Sequence, residues 1–275
     1  MYRDSGSEIS APSCHGHVEH HKHGGAEAWP GETGRTTVAL VGNPNVGKSL
    51  FFNYLSGLYV DVSNYPGTTI ELARGRYREI DIFDTPGVYG ISSFSDEEAV
   101  TREIVLRADV VLNVVDAAHL ERDLFLTQQL IDMGKKVAVF LNFMDEVKKL
   151  GLQIDTQLLA THLGVPVFES TATTRAGFDR IDAAIESARQ GRQDPALHHR
   201  LHSTLSMTGS EAEALLVLEG DEAVARRHGV EAEHERENLY IDRRNRVNRI
   251  IDAVLSDPNG AKGTSHLLGR WAINL

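Results

Sequence analysis

The residues with the most distinctive chemistry lie at 42–49, Gly42-Asn43-Pro44-Asn45-Val46-Gly47-Lys48-Ser49. Two glycines bracket a loop whose backbone N–H groups can turn inward together, which suits a phosphate. Lys48 brings a full positive charge to the outer phosphates, and Ser49 a hydroxyl to a magnesium ion. Such a loop must leave a strand and enter a helix. The apolar run Val38 to Val41 reads as a buried strand, and Leu50, Phe51, Tyr54, Leu55 and Leu58 recur afterwards on one helical face. The helix begins near Gly47, so its positive end adds to the cradle. The combination predicts a nucleoside triphosphate site built from Gly42, Asn43, Asn45, Val46, Gly47, Lys48, Ser49 and Leu50.

Four later stretches say which nucleotide. Asp84-Thr85-Pro86-Gly87 follows a strand, so Asp84 can hold magnesium through water and the Gly87 N–H can meet a γ-phosphate. Asn142-Phe143-Met144-Asp145 also stands at a strand end. A carboxylate at Asp145 can accept from both donors on the pyrimidine edge of guanine, whereas adenine would leave it unpaired. Thr171-Ala172 matches a loop supporting the base, and Thr68-Thr69 lies where a threonine could reach magnesium from an irregular stretch, 59–69. Each motif alone is ordinary loop chemistry. In this order, each at a strand-to-loop junction, they predict GTP and GDP with Mg2+, with Lys48, Asn45, Thr69 and Gly87 closest to the chemistry. Val88 stands where a water-orienting glutamine would follow Gly87, and Arg74 and Arg76, the nearest arginines, lie beyond on a strand. Positive charge near the bridging oxygens can instead come from a monovalent cation, caged by the Asn45 carbonyl and backbone carbonyls around Ser63-Asn64-Tyr65. The alternative is that Asn45 only braces its own turn.

A separate group, Cys14, His15, His17, His20, His21 and His23, sits in a polar, aperiodic segment, 1–35. Imidazole and thiolate suit divalent transition metals, yet the spacing is not that of a fixed site; a solvated tail is the alternative.

The rest of the chain supplies the supports. Residues 36–190 alternate strand-like and helix-like segments, the mark of an α/β sheet. Ile70–Tyr77 and Glu79–Phe83 read as paired strands, Asp109–Val115 and Lys136–Leu141 as buried ones, and Val165–Phe168 as the last. Helices are expected at Leu120–Met133 before Gly134, from an Asp155 cap to His162 before Gly164, and from Phe178 to Arg189. Over 191–275 strand signals vanish. Ser210-x-x-Glu213 is a capping box, Asp221 opens a short helix that Gly229 can end, and a long helix runs from about Glu233 to Leu255. The expected class is therefore an α/β P-loop GTPase (Ras-like) domain with a mostly parallel sheet, followed by a small all-helical domain. The formal net charge of −11 argues against nucleic acid as main partner. The single cysteine excludes an internal disulfide and fits a reducing compartment. No apolar run approaches the ~18 residues that a bilayer span needs.

Gly-Asn-Pro-Asn-Val-Gly-Lys, Asn64-Tyr65-Pro66-Gly67-Thr68-Thr69-Ile70-Glu71 and Asp-Thr-Pro-Gly-Val-Tyr together resemble FeoB, the bacterial ferrous iron transport protein. Leu218-Glu219-Gly220-Asp221-Glu222 resembles the helical domain that follows the G domain in that family, so the likeness covers 36–255. It implies a GTPase that drives or gates Fe(II) uptake at the cytoplasmic face of the bacterial inner membrane. The implied partners are its own membrane domain and FeoA- or FeoC-type small proteins, with a homo-oligomer compatible. It also implies that potassium assists hydrolysis where asparagine stands at Asn45. Residues 268–275 resemble the approach to a first membrane helix, which makes the chain the cytosolic part of a longer one. Three positions depart from the family pattern. Tyr65 replaces tryptophan, Phe143 replaces the lysine whose stem packs along the base, and Val88 is not glutamine. Competing readings are a ribosome-assembly GTPase and a nickel metallochaperone.

Overall fold

The computed structural model describes residues 34–57, 60–92 and 95–257. A seven-stranded sheet organises them. Its strands are β1 (Thr36–Val41), β2 (Val60–Asn64), β3 (Glu71–Tyr77), β4 (Ile80–Asp84), β5 (Val110–Asp116), β6 (Val137–Asn142) and, after a two-residue β7 (Gln153–Ile154), β8 (Val167–Glu169). The order is β2-β3-β4-β1-β5-β6-β8. β2, β3 and β4 form antiparallel pairs, and every other pairing in this sheet is parallel. The parallel strands β1, β5 and β6 are almost wholly buried, as expected when helices cover both faces. The carboxyl ends of β1, β4, β5 and β6 lie along one edge, where ligands of open α/β sheets bind.

The helices between strands are α1 (Lys48–Ser56), α2 (Asp96–Arg107), α3 (Leu120–Asp132), α4 (Met144–Lys149), α5 (Thr156–Leu163) and α6 (Ile181–Ser187). The caps follow the sequence: Asp155 accepts from Leu158 N at 2.8 Å, and Gly164 closes α5 at φ 74. Ser95 caps α2, a helix that the sequence reading passed over. Two expectations need correction. The 59–69 stretch is not irregular throughout, because β2 pairs with β3 along its whole length. It is a short edge strand whose Val60-Asp61-Val62 alternation is too brief to mark it, and Val60 and Val62 are exposed instead of facing the core. On α1 the face buried against the sheet is Phe51, Phe52 and Leu55, while Leu50 and Tyr54 are exposed on its flank; Leu58 lies outside the described residues.

Over the described residues 191–257 the chain carries four helices, α7 (Pro195–Thr208), α8 (Glu211–Leu218), α9 (Glu222–His228) and α10 (Arg236–Val254). Ser210 and Asp221 cap α8 and α9, and Gly229 ends α9, as expected. Two boundaries differ. The helix predicted over 178–189 is a 3-10 turn followed by α6, and Arg189 bridges to Val137 instead of continuing it. Strand character does not vanish either, because β9 (Leu255–Ser256) pairs antiparallel with β7. One apolar core joins α2 and α3 to α8 and α10, so Leu215, Val247 and Ile251 share it with Ile104 and Leu130.

Candidate nucleotide site

The loop between β1 and α1 is as tight as its glycines allow. A Cβ on Gly42 would stand 2.3 Å from Val114 O, and Gly47 takes φ 93 with Asn142 Nδ2 only 2.6 Å from any Cβ built there. Lys48 is buried and donates to Gly42 O at 3.1 Å and Asn43 O at 3.2 Å. Burial pulls its pKa down, against the opposing pull of the Asp84 and Asp123 carboxylates. Asn45 stands exposed at the lip of the loop in the left-handed region, φ 64.

Ser49 Oγ donates to Asp84 Oδ2 at 3.0 Å. Burial raises the pKa of Asp84, and its Oδ1 is buried with no hydrogen-bond partner among the described residues. A hydroxyl beside a carboxylate with an unsatisfied oxygen is a donor set that fits magnesium. After Asp84 the chain is locked to the loop. Thr85 Oγ1 donates to Leu40 O at 2.8 Å and Val88 N to Gly42 O at 3.3 Å. Gly87 lies so close that a Cβ would stand 2.8 Å from Pro44 Cα. Pro44, Asn45, Lys48, Ser49 and the stretch Asp84 to Gly87 line a cleft of about 490 Å³ whose other wall is Val62, Glu71 and Ala73 from β2 and β3.

Asn142 ties this end to the next. Wholly buried, it donates through Nδ2 to Val46 O at 2.9 Å and accepts through Oδ1 from Ala172 N at 2.8 Å. Thr171 N donates to Ala176 O at 3.1 Å, closing the 171–176 loop. Phe143 at φ 62 turns the chain into α4, and Met144 is buried behind it. Asp145, half-exposed in the first turn, accepts from Lys149 Nζ at 3.1 Å, and that hydrogen bond lowers its pKa.

A family profile described as ferrous iron transport protein B matches residues 36–185. The chain belongs to this family. It is 41% identical over 162 residues to an Fe(2+) transport protein A/Fe(2+) transporter FeoB fusion protein of Porphyromonas gingivalis, a match covering 56% of this chain and 19% of the relative. It is 40% identical over 150 residues to the Fe(2+) transporter FeoB of Campylobacter jejuni, covering 52% and 24%. The matched region thus spans about a fifth to a quarter of the length of these curated FeoB proteins. Among solved structures, the cytosolic domain of L. pneumophila FeoB superposes with a TM-score of 0.70 at 30% identity, covering 80% of this chain and all (100%) of that one. A GDP-bound mutant of S. thermophilus NFeoB gives 0.69 at 30% identity with the same coverage. The FeoB fold, a mostly parallel sheet with a helical part after it, is thereby established, and the ribosome-assembly and nickel-metallochaperone readings fall away.

The structure does not gather every residue singled out in the sequence. Thr69 is exposed in the loop joining β2 to β3 and is absent from the cleft wall. Thr68 holds that loop, donating to Tyr65 O at 3.1 Å and accepting from Ile70 N at 3.2 Å. Cys14, His15, His17, His20, His21 and His23 lie outside the described residues. Among the described residues no three His, Cys, Asp or Glu side chains are grouped to hold a metal, and no helix is long and apolar enough to cross a membrane.

Other residues at the site had escaped notice. Glu71 puts a carboxylate on the cleft wall; its place at the first position of a strand directly after Thr69-Ile70 was the available signal. Asp123 and Arg122 on α3 stand behind the loop, Asp123 bonding Asn43 and Arg122 lying 5.9 Å over the Tyr89 ring. Further along, Ile91 N donates to Gln129 Oε1 at 2.9 Å. Gln129 Nε2 donates to Ser92 Oγ at 2.7 Å and to Glu219 Oε2 at 2.9 Å, and Ser92 Oγ also donates to Glu219. The segment after Gly87 is therefore hydrogen-bonded to the end of α8.

Proposed function

We propose that this chain binds GTP and GDP with Mg2+, hydrolyses GTP, and serves as the cytosolic module that drives or gates Fe(II) uptake through a membrane region. The observation that carries the reading is Asn142, whose two hydrogen bonds join the phosphate loop to the loop at Thr171-Ala172. Phosphates would rest on the N–H groups of Val46 to Leu50 and on the Lys48 ammonium. Ser49 and Asp84 would hold Mg2+, which neutralises charge on the outer phosphates. Asp145 would take the two donors of guanine, with Met144 and Ala172 beneath the base. Gly87 would meet the γ-phosphate through its N–H. Thr69 would reach the metal only after the β2–β3 loop folds over the cleft, so GTP is expected to rearrange residues 60–71.

We further propose that Asn45 caps a K+ site whose charge replaces that of an arginine or glutamine. Residues 36–190 would act as the G domain and 191–275 as a helical domain leading to the membrane part, placing the module at the cytoplasmic face of the bacterial inner membrane. Partners would be that membrane part and a FeoA- or FeoC-type protein, in a single copy or a homo-oligomer, with no nucleic acid. The Cys14–His23 segment would bind a divalent transition metal without entering the site. The deciding test is calorimetric. GTP and GDP should bind in preference to ATP, and Asp145→Ala should remove at least ~2 kcal/mol of that preference, the cost of leaving two donors unpaired. Equal affinity of the wild type for GTP and ATP would defeat the assignment.

A further inference from the structure

We infer that Asp123 is a positioning residue for the phosphate loop: acting through Asn43, it fixes the strip Asn43-Pro44-Asn45 against Gly87. The inference rests on the reading of this cleft as a GTP-hydrolysing site. Asn43 is 1% exposed, and its Nδ2 donates to Asp123 Oδ1 at 2.7 Å. Its own Oδ1 is buried without a hydrogen-bond partner among the described residues, so the bond to Asp123 is what sets the amide. Asp123 is itself fixed. Its Oδ2 accepts from Asp116 N at 2.9 Å, and its Oδ1 also accepts from Arg122 Nε at 2.7 Å. A carboxylate 2% exposed is costly to bury, and burial raises its pKa. A position serving only packing would not carry that cost.

What Asp123 holds is the half of the loop that faces Gly87. The Asn43 carbonyl is one of the two seats of the Lys48 ammonium. Pro44 lies against Gly87 with no room for a methyl group between them. Asn45 completes the strip in its left-handed turn. Val46 to Ser49, by contrast, are held by Asn142 and by α1. A diphosphate would rest on that second half, whereas the γ-phosphate would meet the first half and Gly87 together. Loosening Asn43 should therefore slow hydrolysis far more than it weakens binding of GDP.

The test measures kcat for GTP, affinity for GDP and melting temperature in the wild type, Asn43→Ala, Asp123→Ala, the double variant and Asp123→Asn. Each alanine variant should lose about tenfold in kcat with GDP affinity within about threefold of wild type, and the double variant should be no slower than either single. Asp123→Asn should keep at least about a third of the wild-type kcat, because Asn43 can turn its amide and accept from the new one. Full kcat in Asn43→Ala overturns the inference, as does loss of GDP affinity in step with kcat, or multiplying losses in the double variant. If Asp123→Ala does not fold, Asn43→Ala and Asp123→Asn decide, and an Asp123→Asn as slow as Asn43→Ala overturns the inference. A wild type that does not hydrolyse GTP overturns the functional reading and this inference together; a hydrolysing wild type with an unaffected Asn43→Ala overturns this inference alone.

Discussion

Replacing Arg243 tests whether the helical part is joined to the sheet domain through buried charge. Arg243 on α10 donates through Nε to Asp132 Oδ2 at 2.9 Å and through Nη2 to Glu219 Oε1 at 2.8 Å. Its side chain is 3% exposed and both carboxylates 1%, and its guanidinium lies 5.4 Å over the Phe125 ring. Arg243→Met keeps most of the stem volume and removes the charge. Two buried carboxylates are then left short of a partner, and breaking such a pair costs ~3–5 kcal/mol. Each keeps some compensation, Asp132 from Arg246 Nη1 at 2.7 Å and Glu219 from Gln129 and Ser92, so the lower end applies. A loss of about 3 kcal/mol should lower the melting temperature by roughly 6–12 °C in a protein of this size. The control is Arg226→Met, whose partner Glu222 is as exposed as itself, 77% against 71%; that pair should contribute ~0–0.5 kcal/mol. Adding Glu219→Gln to Arg243→Met should recover part of the loss, since the amide removes one orphaned charge and still accepts from Ser92 and Gln129. Circular-dichroism melts and urea titrations read all four proteins. Melting of Arg243→Met within about 2 °C of the wild type would refute the reasoning, because no buried charge pair of this geometry should be so cheap to break.

Two other perturbations address the cleft. Burial raises the pKa of Asp84 above the unfolded value of 3.8, so between those two pKa values the folded state binds the extra proton and stability falls as pH rises. Above that window the penalty is complete, and Asp84→Asn should therefore melt higher than the wild type at pH 7 without nucleotide, while losing Mg2+-dependent GTP binding; a lower melting temperature would show that the carboxylate is stabilising there. For Asn45, hydrolysis by the wild type should be several-fold faster in potassium than in sodium, and Asn45→Ala should abolish the difference while GDP still binds; equal wild-type rates in the two salts would exclude the cage.

The site was legible in the sequence wherever a residue acts through its own backbone or at a strand end. Gly42 and Gly47 betray the loop because no other residue fits their space, Asn142 follows the apolar run Val137–Leu141, and Asp84 follows the strand-like Ile80-Asp81-Ile82-Phe83. The helix caps at Asp155, Ser210 and Asp221 were readable for the same reason: each works within three residues of itself. β2 was not readable, since the alternation Val60-Asp61-Val62 is too short to tell an edge strand from a loop. The place of Thr69 was not readable either, because whether a loop lies over a cleft or away from it is decided by pairing between strands and by what the cleft holds.

The deepest failure of legibility is α3, and it has a physical cause. The sequence marks Leu120–Met133 only as a helix, and the polar residues of a surface helix ordinarily face water. In the structure Asp123, Thr127, Gln129 and Asp132 are all buried, none more than 2% exposed. Each is spent on a different element. Asp123 holds the phosphate loop through Asn43, and Thr127 donates to Asn113 on β5 at 2.6 Å. Gln129 holds Ile91 and Ser92 beyond Gly87, and Asp132 takes Arg243 and Arg246 from α10. A helix that buries this much polarity is costly unless every group is paired, and the partners lie 14 to 114 residues away in the chain. No local pattern can announce them. The same arrangement makes α3 the element shared by the phosphate loop, the segment after Gly87 and the helical part. A movement of Gly87 toward a γ-phosphate would pull on Ile91 and Ser92, which are held by Gln129 and Glu219 and, through Arg236 Nη2 donating to Ser92 O at 3.2 Å, by α10 itself.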